Sequence, residues 1–483
     1  MLRACLALSL AAAWAQPAPP AAPTLVDPPF AAALVQYLDG EDWVVICAGL
    51  PPNGAVVPGD IITDLQRAGV IGDPNYETNW MDESSIWWRP YNLSKTFTLS
   101  QAALEAVESG ASELLIVFDG IKMAATISVN GAAVGHTTNQ FLRYNFSLSA
   151  LHRAALAGGG APVLRAGADN SLLVTFDPSD QSTEGRFMAS SGGWDWAAYI
   201  FNTTTAGTGE NGPQATRALT FGIWKSVYIA TVEVGSLAIA HVVPHVAYLG
   251  DFPVEPLSDA AHGGFSVRVR VHLWAPPGGA AGALAITGAW PGASAALSIT
   301  APAGDSNVSV VLAAPVGSVR LWWPAGTGGD QPLYEVRVVF TPAAAGGAPL
   351  EASRRIGFRY VALTTGNDTD AGWRAANAGG DGNANQGMAI RVNGAALMIR
   401  GANMIPIDAF EGRYSAETFA RMVRSSAEAR MNLLRVWGGG IFAPRAFYDA
   451  CDELGILIYH DMQFAQVRGG GWKEVRSCPA GGV

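Results

Sequence analysis

The sequence predicts a multidomain chain in which a β part is followed by an α/β part. The chain has 483 residues, which is more than one hydrophobic core usually organises. Short apolar runs separated by turn residues fill residues 31–363, a texture typical of β-sandwiches. After Met388, strand-like and helix-like segments alternate, which indicates βα units and therefore a parallel sheet or barrel.

The N-terminus has the pattern of a secretory signal. Residues 1–16, MLRACLALSLAAAWAQ, place one arginine before an apolar run and small residues around a cleavage point. A short membrane anchor is the alternative, but the run is too short to span a bilayer comfortably. Residues 17–30 form a Pro/Ala-rich linker. We therefore expect the secretory pathway, with an extracellular, vacuolar or lysosomal destination.

Five Asn-x-Ser/Thr sequons agree with a secretory chain, because this motif accepts N-linked glycans. The sequons begin at Asn92, Asn145, Asn202, Asn307 and Asn367. The four cysteines are too widely spaced to form a metal-binding pattern. A net charge of -10 without a basic stripe argues against a nucleic-acid partner, and no later segment is apolar for long enough to cross a membrane. The sequence leaves the oligomeric state open.

Two sandwiches are predicted in the β part. In residues 31–233 the clearest piece is LLIVFDGIKMAATISVNGAAVGH, where Asn130-Gly131 is a strong hairpin signal between two apolar stretches. In residues 234–363, FSVRVRVHLW alternates apolar and polar residues, and the following strands end at Gly, Pro or Ala. Residues 364–387 are rich in Gly, Asn and Asp and are expected to form a loop or linker.

Residues 388–466 are predicted to form successive βα units. LMIRGAN, LLRVWGG and ILIYHDM are strand-like, and two helical patterns separate them. The first helix should begin at Ser415 as N-cap, with Phe419, Met422 and Val423 on one face. The second should begin near Pro444 and end at Gly455.

Polar and aromatic residues follow each of these three strands. Asn403 ends the first, Arg435 and Trp437 end the second within NLLRVWGGG, and His460 and Asp461 end the third. The loops at the carboxyl ends of barrel strands converge on one mouth, where α/β barrels carry their active sites. Ordinary loop polarity is the alternative explanation of this pattern.

Several of these segments resemble the β-mannosidases of glycoside hydrolase family 2. The resemblance rests on RGANMIPIDAF, on MNLLRVWGGGIFAPRAFYDACDELGILIYHDMQFA, on GGWDW and on LWWPAGTGGDQPLYE, and it extends from Pro58 to Ala465. It implies a jelly-roll sandwich, an immunoglobulin-like sandwich and a (β/α)8 TIM barrel. It also implies retaining hydrolysis of terminal β-mannosides by two glutamates, without metal or cofactor.

The resemblance also implies roles for individual residues. Asp195 would accept hydrogen bonds from sugar hydroxyls, and Trp194 would form a flat apolar wall, unless it is a sandwich-core aromatic. Trp437 would line the subsite beside the cleaved bond, or would belong to the barrel core. Arg435 would help keep the nucleophile ionised, which a salt bridge inside the barrel would not exclude.

Two further residues belong to the implied site. Asp461 would point into the mouth, or would cap a helix in the following loop. Asn403 would support the first strand end. The substrate-binding prediction thus comprises Trp194, Asp195, Asn403, Arg435, Trp437 and Asp461, and His460 has no assigned role.

The chain departs from the family at the catalytic residues. The family's acid/base glutamate follows an asparagine, and this sequence contains no Asn-Glu pair. Glu428 and Glu453 fall in helices, and Glu474 lies in the tail, residues 467–483, which has neither helical nor strand periodicity. We therefore expect a partial barrel and an inactive chain, with translated intron or true truncation as explanations of the tail. A non-catalytic carbohydrate-binding protein and a β-galactosidase or exo-glucosaminidase relative are the alternatives.

Overall fold

A computed structural model provides the fold. It describes residues 30–47, 49–77, 79, 89–177, 189, 220–344, 346–365 and 388–463. The predicted signal, most of the linker after it, residues 366–387 and the tail lie outside this part of the chain. None of the described helices is long and apolar enough to cross a membrane.

The first ten strands form two antiparallel sheets around a common core. One sheet has the order β3-β2-β4-β9-β6-β7, and the other has the order β1-β10-β5-β8. Their bounds are β1 Leu34–Tyr37, β2 Gly40–Cys47, β3 Asn53–Val57, β4 Tyr91–Thr98, β5 Ser112–Phe118, β6 Ala125–Val129, β7 Ala132–Thr137, β8 Tyr144–Ser147, β9 Asp169–Phe176 and β10 Val227–Glu233. Among the described residues, three helices flank the sheets: α1 Ile61–Arg67, α2 Gln101–Glu108 and α3 Leu148–Ala157.

The apolar run LLIVF is explained by burial on both faces of β5. Leu114, Ile116 and Phe118 face the core between the two sheets. Leu115 and Val117 face a smaller cluster on the opposite side. At the predicted hairpin, Asn130 and Gly131 both have positive φ, as a turn that matches the strand twist requires.

The next seven strands form a second pair of antiparallel sheets. The orders are β11-β12-β15 and β14-β13-β16-β17. The bounds are β11 Ala238–Tyr248, β12 Phe265–Ala275, β13 Ala280–Gly288, β14 Ser294–Ala301, β15 Gly304–Ala314, β16 Tyr334–Pro342 and β17 Leu350–Ile356. The alternation predicted in FSVRVRVHLW is confirmed, because Val267, Val269 and Val271 are fully buried between the sheets.

The remaining described residues form a small antiparallel sheet and a parallel sheet. The antiparallel one contains β18 Val361–Thr365, β19 Met388–Val392 and β20 Ala395–Leu397. The parallel one contains β21 Gly401–Met404, β22 Leu433–Val436 and β23 Leu457–His460. A short 3-10 helix, Glu411–Arg413, and α4 Ala416–Glu428 connect the first two parallel strands, and α5 Arg445–Leu454 connects the second and third.

The predicted helix boundaries are confirmed. The Ser415 hydroxyl accepts a hydrogen bond from the Thr418 N–H at 3.0 Å, and Gly455 ends α5 in the left-handed region, with φ of +74°. Phe419 and Val423 of α4 are buried against the parallel sheet. The strand predicted in LMIRGAN was placed too early, since β21 starts only at Gly401 and the exposed Met398 precedes it.

The described part of the chain contains three parallel strands, which do not close a barrel. What the fold shows is a chain of mostly antiparallel sheets with a short α/β part. It positions the carboxyl ends of β21, β22 and β23 together, in register.

Candidate active site

Two of the residues predicted for the strand ends lie side by side in the parallel sheet. Asn403 and Arg435 are register partners, and Val436 pairs with His460 one step further along. Asp461 is held at the same edge, because its N–H donates to the Val436 carbonyl at 3.0 Å. The parallel pairing thus brings together residues that are 58 positions apart in the sequence, from 403 to 461.

Arg435 is the centre of this cluster. Its Nε donates to Asp461 Oδ1 at 3.2 Å, and its Nη2 donates to Asp461 Oδ2 at 2.5 Å. Its Nη1 donates to Asn403 Oδ1 at 3.1 Å. All three nitrogens of the guanidinium are therefore used, and the planar fork fixes its orientation. The side chain remains 38% exposed, so the cation is held in place but stays accessible.

Asp461 faces the strand ends and is bound from two sides. Besides Arg435, its Oδ2 accepts the Gly438 N–H at 3.2 Å. A Cβ added at Gly438 would lie 2.7 Å from the Met462 carbonyl oxygen, so a side chain here would push the loop away from Asp461. The contacts tie Asp461 to the loop after β22.

Trp437 explains the run of glycines after it. Its backbone N–H donates to the Met404 carbonyl at 3.0 Å, and its half-buried ring packs against the core of the first sandwich. A Cβ added at Gly439 would overlap the ring directly. The backbone therefore folds back across the indole, and glycine is the residue that permits this approach.

His460, to which the sequence assigned no role, connects the end of β23 to neighbouring segments. Its Nε2 is 3.0 Å from the Tyr448 hydroxyl, and its Nδ1 is 2.6 Å from the Asp461 carbonyl oxygen. The ring stacks on Phe442, which in turn meets Phe141 of the first sandwich edge-on. The order of apolar and polar residues in ILIYHDM did not predict these contacts, because they join three separate segments.

The 3-10 helix is held in the first sandwich by a buried polar cluster, which we call the Glu411 joint. Lys122 Nζ donates to Glu411 Oε1 at 2.6 Å, Gln140 Nε2 donates to the same oxygen at 3.1 Å, and Thr220 Oγ1 donates to Oε2 at 2.9 Å. Next to it, the Gly412 N–H donates to Asp60 Oδ2 at 2.6 Å. Sequence reasoning missed this joint entirely.

The joint also perturbs neighbouring carboxyls. Burial, together with Glu411, raises the pKa of Asp60. Burial and the nearby Asp60 raise the pKa of Asp64 to about 7. Burial raises the pKa of Asp408 to about 6, against the opposing effect of Arg413. Carboxyls so placed resist ionisation, since charge is costly in a poorly solvated interface.

Comparison with known proteins gives the cluster a context. The family described as glycosyl hydrolase 2 galactose-binding domain-like matches residues 41–225. The chain is 28% identical over 466 residues to β-mannosidase A of Aspergillus aculeatus, an alignment that covers 89% of this chain and 45% of that protein. It is 26% identical over 427 residues to the β-mannosidase of Rattus norvegicus, covering 85% and 43%.

The resemblance to β-mannosidases of glycoside hydrolase family 2 is confirmed. The chain spans less than half the length of the curated family 2 relatives it matches. Among solved structures, it superposes on the β-D-mannosidase of Dictyoglomus thermophilum with a TM-score of 0.64 at 24% identity, over 89% of this chain and 47% of that one. The exo-chitosanase of Amycolatopsis orientalis gives 0.60 at 18% identity, over 89% and 43%. These superpositions show a common fold.

The other residues singled out in the sequence lie in different parts of the chain. Trp194 and Asp195 lie outside the described residues, as do Asn202, Asn367 and Glu474. Ala189, five positions before Trp194, is buried, and its N–H donates to Gln140 Oε1 of the Glu411 joint at 2.8 Å. Asn307 is exposed, whereas Asn92 and Asn145 are half-buried in their strands.

Neither helical glutamate reaches the strand ends. Glu428 is the last residue of α4, and Glu453 of α5 pairs with Arg355 of β17 at 2.6 Å. Within the described residues, no group of three or more His, Cys, Asp or Glu side chains could hold a metal ion. The cluster at the strand ends consists of the amide of Asn403, the guanidinium of Arg435 and the carboxylate of Asp461.

Proposed function

We propose that this sequence represents a retaining β-mannosidase-type glycoside hydrolase of carbohydrate catabolism. Its substrates would be oligosaccharides or glycoproteins with terminal, non-reducing β-D-mannose. The observation that carries the proposal is the cluster of Asn403, Arg435 and Asp461 at the carboxyl ends of three parallel strands, in a chain similar to β-mannosidases over most of its length.

The proposed mechanism uses two glutamates, and the sequence offers no Asn-Glu pair for the first of them. In retaining hydrolysis one protonates the leaving oxygen and the other attacks the anomeric carbon. Arg435, already oriented by Asp461 and Asn403, would favour the ionised form of a neighbouring carboxyl nucleophile. Trp437 and Trp194 would form apolar walls, and Asp195 and Asp461 would accept hydrogen bonds from sugar hydroxyls.

The proposed architecture is that of the family. A jelly-roll sandwich of residues 31–233 and an immunoglobulin-like sandwich of residues 234–363 would precede a linker, residues 364–387. Residues 388–466 would be the first three βα units of a TIM barrel, and residues 467–483 a tail foreign to the family. The N-terminal signal pattern and the sequons would place the protein in the secretory pathway.

The first experiment is to sequence the full-length transcript through the codon for Gln466. The expected result is a spliced message that continues with barrel strands and an Asn-Glu pair, whose product hydrolyses a β-mannoside. The 483-residue chain alone should not turn over that substrate. Turnover by this chain, or a full-length product without preference for β-mannosides, would contradict the proposal; the latter would favour a β-galactosidase or exo-glucosaminidase relative.

A second candidate is a non-catalytic carbohydrate-binding protein. It is favoured by one observation, namely that each pair of antiparallel sheets has an extensive buried core of its own. Calorimetry of the chain with mannose-containing oligosaccharides separates the two candidates. The hydrolase proposal expects no measurable binding by the 483-residue chain without the rest of the barrel. Saturable binding by this chain, together with transcripts that all end at the codon for Val483, would support the second candidate.

A further inference from the structure

The second pair of antiparallel sheets carries a positively charged face, although the protein as a whole is acidic. Strand β12 turns Val267, Val269 and Val271 into the core, so Arg268 and Arg270 lie on the opposite, solvent-facing side. Both arginines are exposed. The whole chain has a net charge of -10, so this local sign is the reverse of the overall one.

The neighbouring strand adds imidazoles to the arginines. On β11, His241 is the register partner of His272, Val243 of Arg270 and His245 of Arg268. We define the basic face as His241, His245, Arg268, Arg270 and His272. On the other side of β12, Asn307 and Ser309 are paired with His272 and Arg270 and border the face with polar groups, whereas the exposed Val311 is paired with Arg268.

Few acids oppose this charge. Asp305, opposite Trp274, is the single acidic residue within the three strands β11, β12 and β15. No salt bridge joins Arg268 or Arg270 to an acid within the described part of the chain. The adjacent strand β17 carries Glu351 and Arg355, which pair with Arg337 and Glu453 respectively.

We propose that the basic face binds a sulfated polysaccharide. The guanidinium fork matches the oxygens of a sulfate ester, and Arg268 and Arg270 project on the same side at a spacing of about 7 Å along the strand. A three-stranded face about 10 Å wide accommodates an extended chain better than a compact ligand. This binding site does not depend on the hydrolase proposed above.

The surface favours a sulfated chain over other polyanions. Histidine gains its charge in the range between about pH 8 and 5. Burial, and then Arg270, lower the pKa of His272, which Asp305 raises. Sulfate esters stay fully ionised over this range of pH, whereas carboxylates begin to lose charge at its acidic end. Nucleic acid would use exposed aromatic rings for base stacking, and Trp274, at the end of the face, packs instead against the first sandwich.

The test is binding of the 483-residue chain to immobilised dextran sulfate, with unsulfated dextran as reference, at about pH 5.5 and pH 8. The variant R268Q/R270Q removes the two permanent charges from positions that make no core contacts. The control R421Q/R424Q removes the same charge from α4. N-glycans are removed enzymatically in parallel samples, because a glycan on Asn307 would lie beside His272.

The chain should bind dextran sulfate but not dextran at both pH values, because Arg268 and Arg270 stay charged at both. R268Q/R270Q should weaken binding by about tenfold or more and reduce the salt dependence by about two charges, whereas the control changes affinity less than about twofold. The proposal is wrong if the chain fails to bind with and without glycans, or if both variants lose affinity equally. Equal or tighter binding to single-stranded DNA or to anionic vesicles would also overturn it.

Discussion

At the scale of single residues, the site depends on geometry that only one side chain can provide. Arg435 reaches both oxygens of Asp461 and the amide oxygen of Asn403 at the same time. A lysine has one ammonium group and no planar fork, so it could satisfy one partner but not hold both. The strand register determines which groups Arg435 meets, and the guanidinium determines how rigidly they are held.

The variant Arg435→Lys should lower the free energy of unfolding by about 0.5–1 kcal/mol, since the pair is partly exposed and solvent weakens it. Urea unfolding measures the change. Arg424→Lys is the control, because Arg424 pairs with Glu417 on the exposed side of α4 and should change stability by about 0.3 kcal/mol or less. Equal losses of stability in the two variants would show that the Arg435 guanidinium makes no geometrically special contact with Asp461 and Asn403.

Gly439→Ala tests the contact between the loop and Trp437. The added methyl group overlaps the indole, so the ring must leave its place against the first sandwich. We expect a loss of about 1–3 kcal/mol of stability, as for other overpacked sites. Gly54→Ala is the matched control, because nothing lies within 4 Å of the added Cβ there. A stability of Gly439→Ala equal to that of the control would mean that the ring is free to move.

At the scale of elements, the short 3-10 helix joins the parallel sheet to the first sandwich. Glu411 and the Lys122 side chain are 2% and 5% exposed, so water contributes little to their solvation. Their ion pair is surrounded by donors from Gln140 and Thr220, which satisfy the remaining lone pairs. A buried ion pair of this kind changes the stability of the fold little while both partners are present. Removing one partner destabilises the fold strongly.

Glu411→Leu should therefore destabilise the chain by about 3–5 kcal/mol, because it leaves the Lys122 ammonium buried without its counter-ion. The double variant Lys122→Met/Glu411→Leu should recover a large part of this loss. Calorimetric unfolding of Glu411→Leu, of Lys122→Met and of the double variant completes the double-mutant cycle. Additive losses would show that the two groups do not interact energetically.

At the scale of the whole molecule, the buried carboxyls around the Glu411 joint couple stability to pH. Asp64 and Asp408 have folded pKa values of about 7 and about 6, both above the ordinary value of 3.8. A raised pKa means that the folded chain holds the proton more tightly than the unfolded one. The stabilising contribution is complete below the unfolded pKa and is lost as pH rises through the folded pKa.

We therefore expect the melting temperature to fall by about 3 °C or more between about pH 5 and pH 8. Asp64→Asn should reduce this slope, since it cannot ionise. Asp42→Asn should leave the slope unchanged, because the hydrogen bond from Lys95 lowers the pKa of Asp42 below this range. A slope that Asp64→Asn does not alter would place the origin of any pH dependence elsewhere.

A second property of the whole chain is the apolar surface beside β23, the last described strand of the parallel sheet. Within the described residues β23 pairs only with β22, and a cavity of about 360 Å³ lies beside it, lined mainly by apolar groups such as Leu433, Leu457 and Tyr459. Such edges favour self-association. Tyr459→Lys should reduce concentration-dependent association in analytical ultracentrifugation, whereas Tyr76→Lys, at another exposed tyrosine, should not.

The sequence by itself determined the kind of each element and where several of them begin and end. Local signals act within a few residues of the chain. They include hydrophobic periods of 2 and 3.6 residues, the Ser415 cap, the Asn130-Gly131 turn and Gly455. The same local patterns identified Asn403, Arg435 and Asp461 as residues at strand ends.

Only the tertiary structure decided which of these residues meet. Parallel pairing of β21, β22 and β23 brings Arg435 between Asn403 and Asp461, and the docking of the 3-10 helix brings Glu411 to Lys122 across 289 positions of sequence. The basic face likewise exists because two separate strands align their histidines and arginines. Contacts of this kind depend on register and packing between distant segments, and no local pattern in the chain encodes them.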